Sequence, residues 1–288
     1  MRKIAIVTDT NSGLTEEQAK ELGIYVLPMP YIINDVTYFE GQDMTMSEFF
    51  EQLTNKENQV FTSQPTPESV MNLWDEVLKD NDEIVYIPMS SGLSSSYQTA
   101  MLLSGEEQYE DKVFVVNNQR ISVTMRQSVL DAVELVKHGK SAEEIRKILE
   151  KEKFESSIYI MVDTLVYLKK GGRITPVAAM LGEMIKLKPV LQLQGDKLDA
   201  FAKARTIKQA KSIMIEAIKK DIDERFGGAD NVHIAVAHTD NEENAELLKQ
   251  ELLEIFPNND IYVDRLPTSI SVHIGPGSLA VACSKYIN

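Results

Sequence analysis

The feature that most constrains this chain is a series of short apolar runs, several of them rich in β-branched residues, separated by stretches of helical period. Ile4-Ala5-Ile6-Val7 runs into Thr8-Asp9, and Thr15 then opens a helical pattern through Ala19 and Leu22. Tyr25-Val26-Leu27 comes before a helix carrying Phe49, Phe50 and Leu53. Ile84-Val85-Tyr86-Ile87 and Val113-Phe114-Val115-Val116 are apolar throughout, as suits strands of a parallel sheet covered on both faces. A helix through Val70, Leu73, Trp74 and Val77 and further helices near 95–104 and 121–138 complete a βαβα order. That alternation predicts an α/β/α domain built on a parallel sheet.

Past a short helix at 141–152 the order changes. Ser157 to Val162 reads as a strand and 175–186 as a helix. Leu191–Gln194 and Leu198–Ala202, joined at Gly195-Asp196, read as a hairpin. Helix 206–221, strand 232–238, helix 241–255 and strand 260–265 follow, and a final helix is expected at 277–286, packing on either part. The reading is therefore a two-domain α/β protein. Residues 1–155 form an N-terminal α/β domain and 156–288 a C-terminal α+β domain with a mixed sheet. A length of 288 residues suits two units of ordinary size.

Charge narrows the class of ligand. Thirty Lys and Arg against forty-four Asp and Glu leave a net charge of -14, which repels phosphate backbones and argues against nucleic acid. No apolar run approaches the roughly 18 residues that span a bilayer. The N-terminus leads straight into a strand, so no secretion signal is expected, and the single Cys283 fits a reducing cytoplasm. The average charge hides a reversal, because residues 169–211 carry ten basic against three acidic side chains. Lys169-Lys170-Gly171-Gly172-Arg173 is the tightest cluster, and Arg205 stands ahead of a helix starting near Thr206. Such a segment is either a solvated face or a docking surface for an acidic or phosphorylated partner.

Three loops rich in small polar residues are the candidate sites. Ser90-Ser91-Gly92-Leu93-Ser94-Ser95-Ser96 follows a strand and opens a helix, where free N–H groups and hydroxyls suit an anion. Ordinary N-capping explains one serine of it equally well. Thr62-Ser63-Gln64-Pro65-Thr66-Pro67 has the same form, with Thr66 and Pro67 as helix-start residues. His273-Ile274-Gly275-Pro276-Gly277-Ser278, placed by this reading before a helix, offers a histidine donor beside glycines, or a structural histidine. Its match to G-x-G-x-x-A lacks the βαβ context of a dinucleotide site. Ser94 lies in no G-x-S-x-G elbow, the P-loop pattern is missing, and the four histidines show no zinc spacing. Asp9 at the first strand end reads as a catalytic acid or as a loop cap. Met161, Met180 and Met184 lie among Leu165, Leu181 and other apolar residues, as core or as the adaptable wall of a flexible apolar ligand.

Taken in order, these motifs resemble the DegV family over essentially the whole chain. The resemblance rests on Ile6-Val7-Thr8-Asp9-Thr10, Thr62-Ser63-Gln64-Pro65 and Ser90-Ser91-Gly92-Leu93-Ser94. It continues through Leu168-Lys169-Lys170-Gly171-Gly172-Arg173-Ile174, Ala204-Arg205-Thr206 and His273-Ile274-Gly275-Pro276-Gly277. Ser95-Ser96 replaces the usual Gly-Thr before Tyr97, which narrows the expected headgroup site, and Gly13 stands where the family usually has Asp.

The resemblance implies a DegV-like two-domain fold with one long-chain fatty acid buried between the domains. It implies a carboxylate held near Thr62, Ser63, Ser94 and Ser95, with His273 and Gly275 beside it. Met161, Leu165, Met180, Leu181 and Met184 would then line the acyl tail. In Gram-positive bacteria such proteins serve as acyl carriers for a separate ATP-dependent fatty acid kinase, which forms the acyl phosphate. Arg205 matches a position tied to that coupling, and Arg173 of the basic cluster is expected to share it. The implied protein is a cytoplasmic lipid-binding carrier without catalytic residue, metal or cofactor of its own, with room for transient membrane contact. The competing reading is a hydrolase or phosphotransferase using Asp9 and Ser94 at the sheet edge. A transcriptional or interaction protein fits the acidic composition less well.

Overall fold

A computed structural model describes residues 2–180, 187–195 and 197–287. The strands are β1 (Ile4–Asp9), β2 (Ile24–Leu27), β3 (Pro30–Ile33), β4 (Val36–Phe39), β5 (Val60–Thr62), β6 (Glu83–Ile87) and β7 (Val113–Val115), followed by β8 (Ser156–Met161), β9 (Lys188–Leu193), β10 (Asp199–Ala204), β11 (Val232–His238), β12 (Ile261–Arg265) and β13 (Leu279–Lys285). The helices are α1 (Glu16–Leu22), α2 (Met46–Thr54), α3 (Pro67–Leu78), α4 (Ser96–Ser104), α5 (Ser122–Lys137), α6 (Ala142–Lys151), α7 (Val166–Gly171), α8 (Pro176–Ala179), α9 (Ile207–Glu224), α10 (Glu242–Ile255) and α11 (Thr268–Ile274).

The first sheet has the order β2-β1-β6-β7 and is parallel throughout. Its strands are the apolar runs of the sequence, and they are buried because α3 and α4 cover one face and α5 and α6 the other. Trp74 of α3 is fully buried and meets Tyr86 and Tyr109 edge-on at 5.6 and 5.2 Å. Helix starts fall where capping chemistry puts them. Thr15 with Gln18, Thr45 with Glu48 and Ser141 with Glu144 form reciprocal capping boxes. A small antiparallel sheet, β4-β3-β5, branches off after β2, and sequence periodicity did not distinguish it.

The second sheet is mixed, with the order β10-β9-β8-β13-β11-β12. The expected hairpin is β9 and β10, paired antiparallel with an irregularity between Ala200 and Ala202. The expected terminal helix at 277–286 is not there: residues 279–285 are strand β13, paired antiparallel to β8 on one side and β11 on the other. Leu279-Ala280-Val281-Ala282-Cys283 carries two helix-favouring alanines, but a gap between two strands outweighs propensity. Helix α8 covers 176–179 of the helix expected at 175–186, whose residues 181–186 lie outside the described residues.

One face of this sheet packs on α9, with Tyr159, Met161 and Val281 against Met214 and Ile218. On the other face the register lines residues up in rungs. Leu191, Ile160, Ala280, Ala237 and Asp264 form one rung, and Leu193, Ile158, Ala282, Ala235 and Tyr262 form the next. Four alanines thus make a square at the sheet centre, and α5 lies across it while its other side packs on the first sheet.

A buried carboxylate ties the small sheet to α11. Glu40, just past β4, accepts from Thr10 Oγ1 at 2.6 Å, from Ser269 Oγ at 3.1 Å and from the Thr268 N–H at the start of α11. Burial still holds its pKa above the ordinary value. No helix among the described residues is long and apolar enough to cross a membrane.

Candidate ligand-binding cavity

The carboxyl ends of β6 and β7 leave the first sheet side by side, and hydrogen bonds fix the loops they enter. The Asp9 carboxylate accepts from the Met89 N–H at 3.0 Å and from both the N–H and Nδ2 of Asn11, at 2.9 and 2.7 Å. Burial raises the Asp9 pKa to about 6 against those bonds. The Ser90 N–H donates to the Arg120 carbonyl at 2.9 Å, and the Ser91 hydroxyl donates to Asn117 at 3.0 Å. Ser90 Oγ donates to the Gly195 carbonyl, past the end of β9, at 2.9 Å.

Between this loop, α5, α11 and the alanine face of the second sheet lies a cavity of about 250 Å3. Its walls come from both halves of the chain. Thr62, Ser63, Ser94 and Ser95 line it from the first, and Arg173, Ile158, Ala280 and Ala282 from the second. Thr62 Oγ1 and His273 Nε2 are hydrogen-bonded at 2.7 Å across that divide. Burial, reinforced by the positive charge of Arg173, pushes the His273 pKa down to about 4, so the ring is neutral at pH 7. Arg173 donates through Nε to the Leu93 carbonyl at 3.1 Å and through Nη1 to the Gly171 carbonyl. It is the only charged side chain in the wall among the described residues. The rest of the wall is largely aliphatic, including Ile160, Leu193 and Leu198.

His273 sits in the last turn of α11, not ahead of a helix, so a helix N-terminus contributes nothing there. Its position depends on a glycine. A Cβ on Gly171 would stand 2.2 Å from His273 Nδ1, so only glycine lets the ring lie against the end of α7. Gly275 is not in the wall. It turns the chain out of α11 at φ 76°, and a Cβ there would meet the Tyr167 ring at 2.3 Å.

The expected tail residues fare differently. Met161 points to the α9 face, because neighbouring strand residues alternate and Ile160 takes the cavity side. Leu165 is buried behind the wall, and Met180 is 76% exposed at the end of α8. Leu181 and Met184 lie outside the described residues. Arg205 is exposed at the β10–α9 turn, away from the cavity, with its N–H bonded to Gln209 at 2.8 Å. Sequence reasoning missed Asn11 and Ser269, joined at 2.8 Å in the wall, and the alanines of the floor. Only the alternation of small residues in β13 could have pointed to the latter.

For the hydrolase reading the geometry is unfavourable. Ser94 Oγ shares its hydrogen bond with Ser96 Oγ at 2.8 Å and bonds no histidine or carboxylate. Asp9 lies outside the wall with its oxygens engaged. Among the described residues no group of three or more His, Cys, Asp or Glu could hold a metal ion.

Comparison with known proteins places this arrangement. A family model described as "Uncharacterised protein, DegV family" matches residues 3–285. The chain belongs to the DegV family. This DegV chain is 33% identical over 285 residues to a DegV domain-containing protein of Staphylococcus aureus, covering 99% of this chain and all of that one. It is 29% identical over 284 residues to protein DegV of Bacillus subtilis, covering 98% of this chain and 99% of that one. Among solved structures it is similar to a DegV family protein of Thermus thermophilus described for its fatty acid binding (TM-score 0.89, 29% identity, 99% and 100% coverage). It is also similar to DegV of Bacillus subtilis, described as a fatty acid binding protein (TM-score 0.86, 28% identity, 99% and 100% coverage).

Proposed function

We propose that this protein binds a long-chain fatty acid, with the tail in the aliphatic part of the cavity and the carboxylate among Thr62, Ser63, Ser94, Ser95 and Arg173. The observation that carries this reading is the cavity itself: one wall cation and a set of hydroxyls in an otherwise largely aliphatic wall. Burying a tail of sixteen carbons at ~0.8 kcal/mol per methylene contributes about 10 kcal/mol before ordering costs. The tail therefore supplies most of the affinity. The polar end has a different task, since a buried carboxylate without partners is strongly unfavourable. Arg173 balances its charge, hydroxyls donate to it, and neutral His273 orients Thr62. Similarity to two fatty-acid-binding structures supports the same ligand class.

The two lobes, 1–155 and 156–288, serve as the jaws of this site, and the protein acts in the cytoplasm as a carrier. It presents the carboxylate to a separate ATP-dependent kinase that forms the acyl phosphate. Arg173 is half-buried, which puts the polar end within reach of a partner, and exposed Arg205 supplies a contact outside the cavity.

Lipid extraction and native mass spectrometry of the purified protein test the ligand. A fatty acid is expected, and a protein that is empty and ignores added oleate and palmitate overturns the reading. The carrier role predicts that the loaded protein supports acyl phosphate formation with a fatty acid kinase and ATP. No acyl phosphate from a loaded protein refutes it.

A further inference from the structure

The fatty-acid cavity has a neighbour. A second cleft of about 1100 Å3 runs along α5 on the other side of its first turn, over Ala235, Tyr262, Ser284 and Tyr286. The two spaces share two wall residues, Val123 of α5 and Ala282 of β13. Their meeting follows from the sheet register. The alanine square leaves the floor low beneath α5, where larger aliphatic side chains would fill the gap between helix and sheet. The cavity occupies the space above Ala237, Ala280 and Ala282, and the cleft continues it above Ala282 and Ala235. What separates them is Val123 above and the Ala282 methyl below, both buried.

We infer that Val123 and Ala282 are the chain-length stop of the fatty-acid site, and that the second cleft is the overflow for longer acyl tails. This rests on the fatty-acid reading and adds to it which residues set the length. The occupant of the near part of the cleft is the distal end of the same acyl chain, because the partition is one side chain thick. The wall of that near part, Val123, Ala235 and Ala282, is apolar and suits methylenes. One helical turn past Val123, Arg126, stacked on the Tyr262 ring at 4.3 Å, makes the cleft polar and sets a second limit, with the carboxylate of Asp131 further along α5.

Val123→Ala removes two methyl groups from the top of the partition, and Ala282→Val thickens it from below. Each protein is stripped of lipid and titrated with saturated acids that lengthen two carbons at a time, and affinity is followed across the series. In Val123→Ala the best-bound acid is expected to lengthen by at least two carbons, and in Ala282→Val to shorten. If wild type binds acids and neither variant shifts the optimum, the stop lies elsewhere and this inference falls. If wild type binds no acid of any length, the fatty-acid reading itself fails. If one variant unfolds the other decides alone, and if both unfold, Ala282→Ser, which adds one heavy atom below the partition, is expected to shorten the best-bound acid, an unshifted optimum overturning the inference.

Discussion

Gly171 is the position where a single methyl group tests the polar end of the site most directly. Its backbone is helical, so Gly171→Ala alone would stabilise α7 by about 0.5–1 kcal/mol. The structure predicts the opposite sign. The added Cβ would lie 2.2 Å from His273 Nδ1, 3.0 Å from Cε1 and 3.2 Å from Cγ, where ordinary contact begins near 3.4 Å. The ring must retreat by roughly 1 Å, which breaks its 2.7 Å bond to Thr62 Oγ1. Losing that bond costs about 1 kcal/mol, and leaving its two half-buried partners without it costs a further ~1 kcal/mol or more. The net expectation is a loss of about 1–3 kcal/mol in stability and of roughly tenfold or more in fatty-acid affinity. Gly172→Ala is the control. Gly172 has φ +68° with nothing within 4 Å, so it should lose about 1 kcal/mol of stability and leave affinity within twofold. Thermal unfolding and fatty-acid titration of the lipid-free proteins give both readouts. A Gly171→Ala protein that is more stable than its parent and binds equally well would refute the assigned packing of His273.

Other expectations follow from residues that the site or its frame depends on. Glu40→Ala strands Thr10, Ser269 and the Thr268 N–H, so denaturant titration should show a loss of about 2–4 kcal/mol, with Glu40→Gln losing less. Asp264 is buried, with a pKa raised to about 7 chiefly by desolvation. The native state therefore holds a proton there that the unfolded chain releases near pH 4, and stability falls as pH rises from about 4 to about 7. Asp264→Asn removes that slope, so its stability relative to the parent should rise by on the order of a few kcal/mol between pH 5 and pH 8, and a flat difference would contradict the assignment. Thr62→Ala with Ser94→Ala should weaken carboxylate placement more than tail burial, seen as a larger loss for fatty acids than for the matching alcohols. Arg173→Glu should lower fatty-acid affinity, because that side chain is in the wall, whereas Arg205→Glu should bind normally and impair kinase coupling.

The first lobe was legible because its signals are local. β1, β6 and β7 are apolar at nearly every position, and the capping boxes at Thr15, Thr45 and Ser141 announce helices within four residues. The polar loops at 62–64 and 90–95 were legible for the same reason, as hydroxyl clusters at strand ends. What escaped is set by distance along the chain. β13 becomes a strand only because β8 and β11 flank it, and that reassignment turned His273 from a residue before a helix into one at a helix end. Met161 looked like a tail contact from composition, but strand alternation gives the cavity to Ile160. The alanine floor shows in a single strand only as the alternation of Ala280 and Ala282 in β13. It emerges when β11 and β13 are laid in register.

The central place of β13 also governs the order in which this protein can assemble. Ile160 pairs with Ala280, and Ala280 with Ala237, so β8 and β11 have no edge in common and neither is paired on its inner side until β13 arrives. Contacts of such long sequence separation form slowly, and two open strand edges invite pairing with other chains in the meantime. The binding floor is laid by the same insertion, because Ala280 and Ala282 are part of it. The floor of the cavity is therefore complete only with β13 in place, and a ligand that recognises only the finished cavity stabilises that pairing by mass action.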